Sequence, residues 1–267
     1  MGFFSIRRYR SGSSFIAAFL KTSFIFVLFL ILVSCSGKKE VKTRDAFDPE
    51  KALTKASELI DKKDFEEARQ LLTEVKNRDF SKKYAPIAQL KIADSFSREE
   101  EYDAAVEEYK KFLDIYPDHK NASYAQYQIA VTYFAQIEGP ERGYGAAAKA
   151  LQEFEKLKKM FPRNPYRETV ELRIERCKDT IANYEYLVGE FYYKKGSYTA
   201  ALERLLTLMT KFPDHKKEPA VLYTIAMSYK KLGDKDNASE YFKRLIEKYP
   251  NDKLIKDANK ELASIGK

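Results

Sequence analysis

The pentapeptide YPDHK at residues 116–120 returns almost unchanged as FPDHK at residues 212–216, and the two copies hold the chain's only histidines, His119 and His215. Two readings compete: distant segments converging on a shared metal or proton relay, or a chain that repeats one structural unit. Steps of 4, 7 and 12 residues decide between them. From Ala105 they meet Tyr109, Phe112 and Pro117; from Ala150, Phe154, Leu157 and Pro162; from Ala201, Leu205, Leu208 and Pro213; from Ala238, Phe242, Leu245 and Pro250. From Ala68 they meet Leu72 and Val75, with Phe80 in place of proline.

Stepping back from the same alanines uncovers a second helix in each unit, in which an apolar, a small and an aromatic residue follow in order. These are Ile92, Ala93 and Phe96; Ile129, Ala130 and Tyr133; Val188, Gly189 and Tyr192; Ile225, Ala226 and Tyr229; the first unit has Ala56 and Leu59. Spacings of three, four and seven place these side chains on one helical face. The small residue lets two helices approach closely, and the proline ends the second. A hairpin of this kind cannot bury its apolar face without a neighbour, which is the building rule of solenoids. The expected fold is all-α, a right-handed solenoid of about five hairpins resembling the tetratricopeptide repeat, across residues 49–253.

Composition agrees: 44% apolar and 33% charged residues with 10 Gly can form a substantial helical core, and 19 Tyr with 18 Phe supply aromatic seams. Both histidines fall two residues past a helix-stopping proline. Equivalent positions in adjacent repeats lie roughly 10 Å apart, and these are two repeats apart, so one metal could not hold both. No metal or other cofactor is expected. Without a Gly-rich phosphate loop, G-x-S-x-G or paired Cys and His, the sequence reads as a non-enzyme.

The first residues read as a targeting segment. Arg7, Arg8, Arg10 and Lys21 precede the apolar run FIFVLFLILV at residues 24–33, which is too short to span a bilayer. The run ends in Leu32 and Val33, and Ser34 and Cys35 follow, resembling a bacterial lipobox in which Cys35 becomes acylated and the new N-terminus. Several acyl chains would hold the chain on a membrane. The first 34 residues carry four basic and no acidic side chains, so the net charge beyond them is +4 against +8 for the whole chain, which gives nucleic-acid binding no support. Cys177 is then left without an intramolecular partner and reads as a small core residue.

The anchor alanines lie 37, 45, 51 and 37 residues apart. The longer 45 holds about eight extra residues in QIEGPERGYGAA, a loop within the third hairpin. The 51 holds about fourteen extra, free of Gly and Pro except Gly189, which predicts one helix of roughly 28 residues and 42 Å. The expected organisation is therefore a leader at 1–34, a flexible tether at 35–48, repeats one to three at 49–163, and the long helix with repeats four and five at 164–267.

The stretch IANYEYLVGEFYYKKGSYTAALERL at residues 181–205, with the lipobox and five repeats of this spacing, resembles the BamD family, the lipoproteins of the outer-membrane β-barrel assembly machine. The resemblance implies a lipid-anchored scaffold on the periplasmic face of the outer membrane. Its C-terminal repeats would dock on a BamA-like barrel component, and its N-terminal repeats would receive unfolded outer-membrane proteins. It also implies that Arg204 makes the BamA contact. Accessory lipoproteins are further implied partners, although the third-repeat loop is short here where better-known members carry a longer one. The competing reading is another envelope repeat lipoprotein, a pilus-assembly pilotin or cell-division coordinator.

A substrate groove can be read from the first helices of the N-terminal hairpins. The residues between their packing positions are Leu53, Ile60, Ile87, Leu90, Tyr124, Tyr127 and Phe134. The expectation is an apolar trough for an extended segment with alternating aromatic side chains.

Overall fold

The computed structural model describes residues 47–213 and 215–266. The leader, Cys35 and almost all of the tether lie outside the described residues. From Asp48 onward the described residues belong to one compact unit, Asp48–Lys267.

Its helices are α1 (Pro49–Asp61), α2 (Phe65–Arg78), α3 (Ala85–Arg98), α4 (Tyr102–Ile115), α5 (Ala122–Ala135), α6 (Gly145–Met160), α7 (Arg167–Lys194), α8 (Tyr198–Lys211), α9 (Glu218–Lys231), α10 (Lys235–Lys248) and α11 (Ile255–Ile265). A 14-residue helix, a three-residue turn, a second 14-residue helix and a six-residue link make the basic unit. The departures fall where the period drifts. The third hairpin has a nine-residue connection containing a 3-10 turn at Pro140–Arg142, and its second helix has 16 residues. The fourth opens with the 28 residues of α7. The fold is thus a solenoid of helical hairpins, and among the described residues no helix is long and apolar enough to cross a membrane.

Packing explains why it is continuous. Ala56, Ala93, Ala130 and Ala226 on the first helices, and Ala68, Ala105, Ala150, Ala201 and Ala238 on the second, are all fully buried. Each core spans three consecutive helices: Ala93 (α3), Tyr109 and Phe112 (α4) and Ile129 (α5) form one, and the next residue, Ala130, joins Phe154 (α6), Ile174 and Cys177 (α7) in another. The long helix serves two cores, giving Ile174 to the third hairpin and Ala182 with Tyr186 to the fourth. Burial pushes the Cys177 thiol up to about 11, so it packs as an uncharged thiol. The sequence pattern carries the repeats to residue 253 and places the chain to 267 with the last two, without a separate helix beyond them. Helix α11 covers the last hairpin, with Ala258 packed beside Phe242 and Leu245, as a solenoid end requires.

Local chemistry sets the turns. In four hairpins the third turn residue donates its N–H to a carbonyl five residues back: Asp64 to Leu59, Glu101 to Phe96, Ser197 to Tyr192 and Asp234 to Tyr229, at 2.9–3.0 Å. This closure needs a left-handed residue in the middle. Gly196 and Gly233 provide it at φ 80° and 82°, while Lys63 and Glu100 adopt φ 67° and 66° despite their side chains.

The links between hairpins use a second device, and here the histidines find their role. His119 Nδ1 accepts the N–H of Asn121 at 3.1 Å and His215 Nδ1 that of Lys217 at 3.2 Å. At the same station Asn164 Oδ1 accepts from Tyr166 and Asp252 Oδ1 from Leu254, both at 2.9 Å. Each imidazole therefore stands in for an asparagine or aspartate turn, and His119 also sets its ring edge-on to Phe112 at 5.5 Å.

Two outcomes follow from this packing. Replacing both histidines by Asn should preserve the turn bonds, whereas Ala should cost about 1 kcal/mol per site. Burial holds both imidazoles below their ordinary value of 6.5, and the turn bond needs a neutral Nδ1. The stability they add is complete above 6.5 and declines as pH falls below it. Thermal melts between about pH 8 and about pH 5 should therefore fall less in the double Asn variant than in the natural chain. Separately, a Cβ at Gly189 would lie 2.5 Å from Cδ2 of the buried Leu205. Gly189→Val should lower the urea-unfolding free energy by about 1–3 kcal/mol through overpacking.

Candidate peptide-binding groove

A cleft of about 220 Å³ opens where α1, α3 and α5 lie side by side over α4. At its floor the Asp94 carboxylate accepts the hydroxyls of Tyr109 at 2.5 Å and Tyr124 at 2.8 Å on one oxygen. Burial raises the Asp94 carboxyl above its ordinary value, against the opposing pull of the two hydroxyls and of Lys91 and Arg98. Burial and the neighbouring Asp94 in turn push both tyrosines upward, so the hydroxyls stay protonated donors. At the rim, Lys91 Nζ donates to Ser57 Oγ at 2.7 Å and Arg98 pairs with Asp61 at 2.8 Å. Together with the Gln128 amide, these groups suit recognition of peptide backbone and polar termini.

The apolar trough expected from the sequence is not what forms here. Leu53, Ile60 and Leu90, expected to face outward, are core residues at 8%, 6% and 5% exposure. In the stack α3 touches α2, α4 and α1, so positions that a lone hairpin would expose are covered by the adjoining one. Ile60 shows only an edge to the cleft, and Ile87 is half-buried. Tyr124 reaches the cleft through its bond to Asp94, with its ring against the core. Tyr127 stacks on Tyr166 with ring centroids 4.0 Å apart. Phe134 lies edge-on to Phe154 at 6.0 Å, and the guanidinium groups of Arg173 and Arg176 sit 5.3 and 5.5 Å from its ring.

The polar lining of the cleft was missed, although it has a register. Ser57 and Asp61 lie one and five residues past Ala56, and Asp94 and Arg98 stand in the same relation to Ala93. Glu190 and Lys194, one and five past Gly189, line a second cleft of about 220 Å³ between α7 and α9 with Tyr186, Tyr193 and Tyr223.

Arg204 lies on α8, half-exposed, with Nη1 3.4 Å from Glu185 Oε2 on α7. The same two stations elsewhere hold glutamine and glutamate. Buried Gln89 donates to the Glu108 carboxylate at 2.6 Å, and buried Gln126 to that of Glu153 at 2.7 Å. The fourth hairpin thus places a cation on the second helix where the second and third have an anion.

Stacked helical hairpins of this kind make a tetratricopeptide-type solenoid. Residues 45–241 match the model of the YfiO family, described as an outer membrane lipoprotein, and the chain belongs to that family. It is similar to the outer membrane protein assembly factor BamD of Rickettsia prowazekii, 27% identical over 232 residues covering 86% of this chain and 92% of that protein. The protein of the same name from Neisseria meningitidis serogroup A is 23% identical over 243 residues, covering 86% and 91%. Among solved structures, the TPR2AB-domain:pHSP90-complex of yeast Sti1 aligns over 76% of this chain and 78% of that one, with 15% identity and a TM-score of 0.46. The family expected from residues 181–205 is the family found.

Because Tyr124 and Tyr127 each press a ring into the core, replacing both with Ala should lower stability by about 3 kcal/mol and the melting temperature by about 6–12 °C. Tyr124→Phe, which keeps the ring and removes the hydroxyl that bonds Asp94 and Gln128, should cost about 1 kcal/mol. Differential scanning calorimetry of the two variants checks both values.

Proposed function

We propose that this chain is a lipid-anchored scaffold for outer-membrane protein assembly. Its N-terminal repeats receive unfolded barrel proteins, and its C-terminal repeats dock on a BamA-like barrel component. The observation that carries this reading is the match across residues 45–241 to a family of outer membrane lipoproteins, with relatives named as assembly factors along nearly their whole length. The cleft built on Asp94, Lys91 and Arg98 supports the receiving role, since its donors and acceptors suit an extended polypeptide. Acylation of Cys35 supplies the anchor and the periplasmic face supplies the setting. Arg204 supports the docking role because it holds its guanidinium half-exposed beside Glu185, free on its outer side to meet a partner's carboxylate. Accessory lipoproteins would join through surfaces outside the third-hairpin loop, which is short.

Purification of the lipidated chain from outer membrane should recover the barrel component. Arg204→Glu should lower that recovery at least tenfold with helical circular dichroism unchanged. Glu185→Gln, which breaks the same internal ion pair but keeps the arginine, should retain most of it. Recovery of pilus or cell-division proteins without the barrel component would favour the competing repeat-lipoprotein reading. Cys35→Ala should release the chain from the outer-membrane fraction; unchanged fractionation would overturn the anchor.

A further inference from the structure

One hairpin end departs from the others. Twelve residues after the anchor alanine, four repeats place Pro117, Pro162, Pro213 and Pro250; the first places Phe80. That side chain is 94% exposed, far more than Phe191 at 55%. It is held out by a braced turn. The Asp79 carboxylate accepts from the Ser81 N–H at 3.1 Å, the Ser81 hydroxyl at 2.5 Å, the Tyr84 N–H at 2.5 Å and the Ala85 N–H at 2.7 Å. Lys82 takes a left-handed conformation, φ 57°, to complete it. The turn thus offers an aromatic ring with Lys82 and Lys83 beside it; Lys83 Nζ donates to the Tyr84 hydroxyl at 2.9 Å and lies over that ring, and neither lysine forms an ion pair with a carboxylate within 4 Å among the described residues.

The turn also sits where the chain enters the fold. Asp48 caps α1 through the N–H groups of Glu50 and Lys51, and Tyr84, at the end of the turn, donates its hydroxyl to Glu50 at 3.4 Å. Cys35 is only 13 residues before Asp48, so a lipid on it can lie no more than about 45 Å away even on a fully stretched chain. A ring flanked by two lysines without a carboxylate partner and kept near a bilayer matches the chemistry of an interfacial contact, with the aromatic among the upper acyl carbons and the ammonium groups on anionic headgroups.

We propose that the α2–α3 turn is a second membrane contact, in which Phe80 enters the phospholipid interface and Lys82 and Lys83 hold anionic headgroups. It orients the first repeat against the membrane that the lipid merely tethers. The proposal rests on the lipid-anchor reading, and its test separates the two.

The chain contains no tryptophan, so Phe80→Trp creates a single reporter. The full lipidated chain is reconstituted into phosphatidylethanolamine vesicles containing phosphatidylglycerol, with lipids brominated on the upper acyl chain. The indole at position 80 should lose at least half its fluorescence and shift to the blue, while Phe191→Trp should be unaffected. Adding Lys82→Glu and Lys83→Glu should remove most of that quenching. Flotation of the protein with the vesicles but no quenching at position 80 overturns the membrane contact and leaves the anchor standing. Failure to float overturns both. A blue shift without vesicles that grows with protein concentration assigns the turn to a second copy and overturns the proposal as well.

Discussion

The close approach of two helices at one small residue is the contact on which this structure depends. Ala56, Ala93, Ala130 and Ala226 occupy that station fully buried, and at Gly189 even a methyl group would collide with Leu205 of the following helix. Without that approach the larger apolar residues, Phe112, Phe154, Leu205 and Phe242, would not reach the helix that follows their hairpin, and no core would close. Because every core takes residues from three successive helices, stability passes from neighbour to neighbour along the stack. Where α5 closes one core and opens the next with the neighbouring residues Ile129 and Ala130, α7 does so with stretches set apart along its length, Ile174 with Cys177 and then Ala182 with Tyr186.

Polar groups are fitted into this apolar plan at recurring stations. Buried Gln89 and Gln126 reach across their hairpins to glutamates that serve as rim acceptors. The first and fifth hairpins fill the same pair of stations with apolar or aromatic residues, and the fourth exchanges it for Glu185 and Arg204. The inner stations one and five residues past the small residue hold Ser57 and Asp61, Asp94 and Arg98, then Glu190 and Lys194 in the first, second and fourth hairpins, while the third has Val131 and Ala135 and the fifth Met227 and Lys231, so the polar lining is particular to those three hairpins. Buried charge is tolerated there because it is bonded: Asp94 has two tyrosine hydroxyls, and Glu218, almost wholly buried near the end of the stack, has Lys248 and Tyr249.

Much was legible in the residues alone, for definite reasons. The alanine, aromatic and proline stations declare themselves because helix geometry repeats every 3.6 residues and every repeat solves the same packing problem. The drift in period located the third-hairpin connection and the 28-residue α7, since extra residues must go somewhere and their Gly or Pro content says whether they can be helical. The family followed from a contiguous stretch, residues 181–205, which needs no folding to be read. The histidines could be placed after the prolines, but their service as stand-ins for asparagine required the observed bonds to Asn121 and Lys217.

What the sequence by itself determined is therefore everything set within one hairpin: helix spans, turn positions, the small and aromatic packing residues, and the repeat class. Only the tertiary structure decided which of the remaining side chains face water. Leu53, Ile60 and Leu90 look outward on a lone hairpin and are covered in the stack, while Lys91, Asp94 and Arg98, ordinary charges on a helix, converge with Tyr124 of the next hairpin into a cleft. The physical reason is that exposure in a solenoid depends on the neighbouring unit, some 37 residues away in the chain, and periodicity within a helix contains no record of how far that neighbour leans over it.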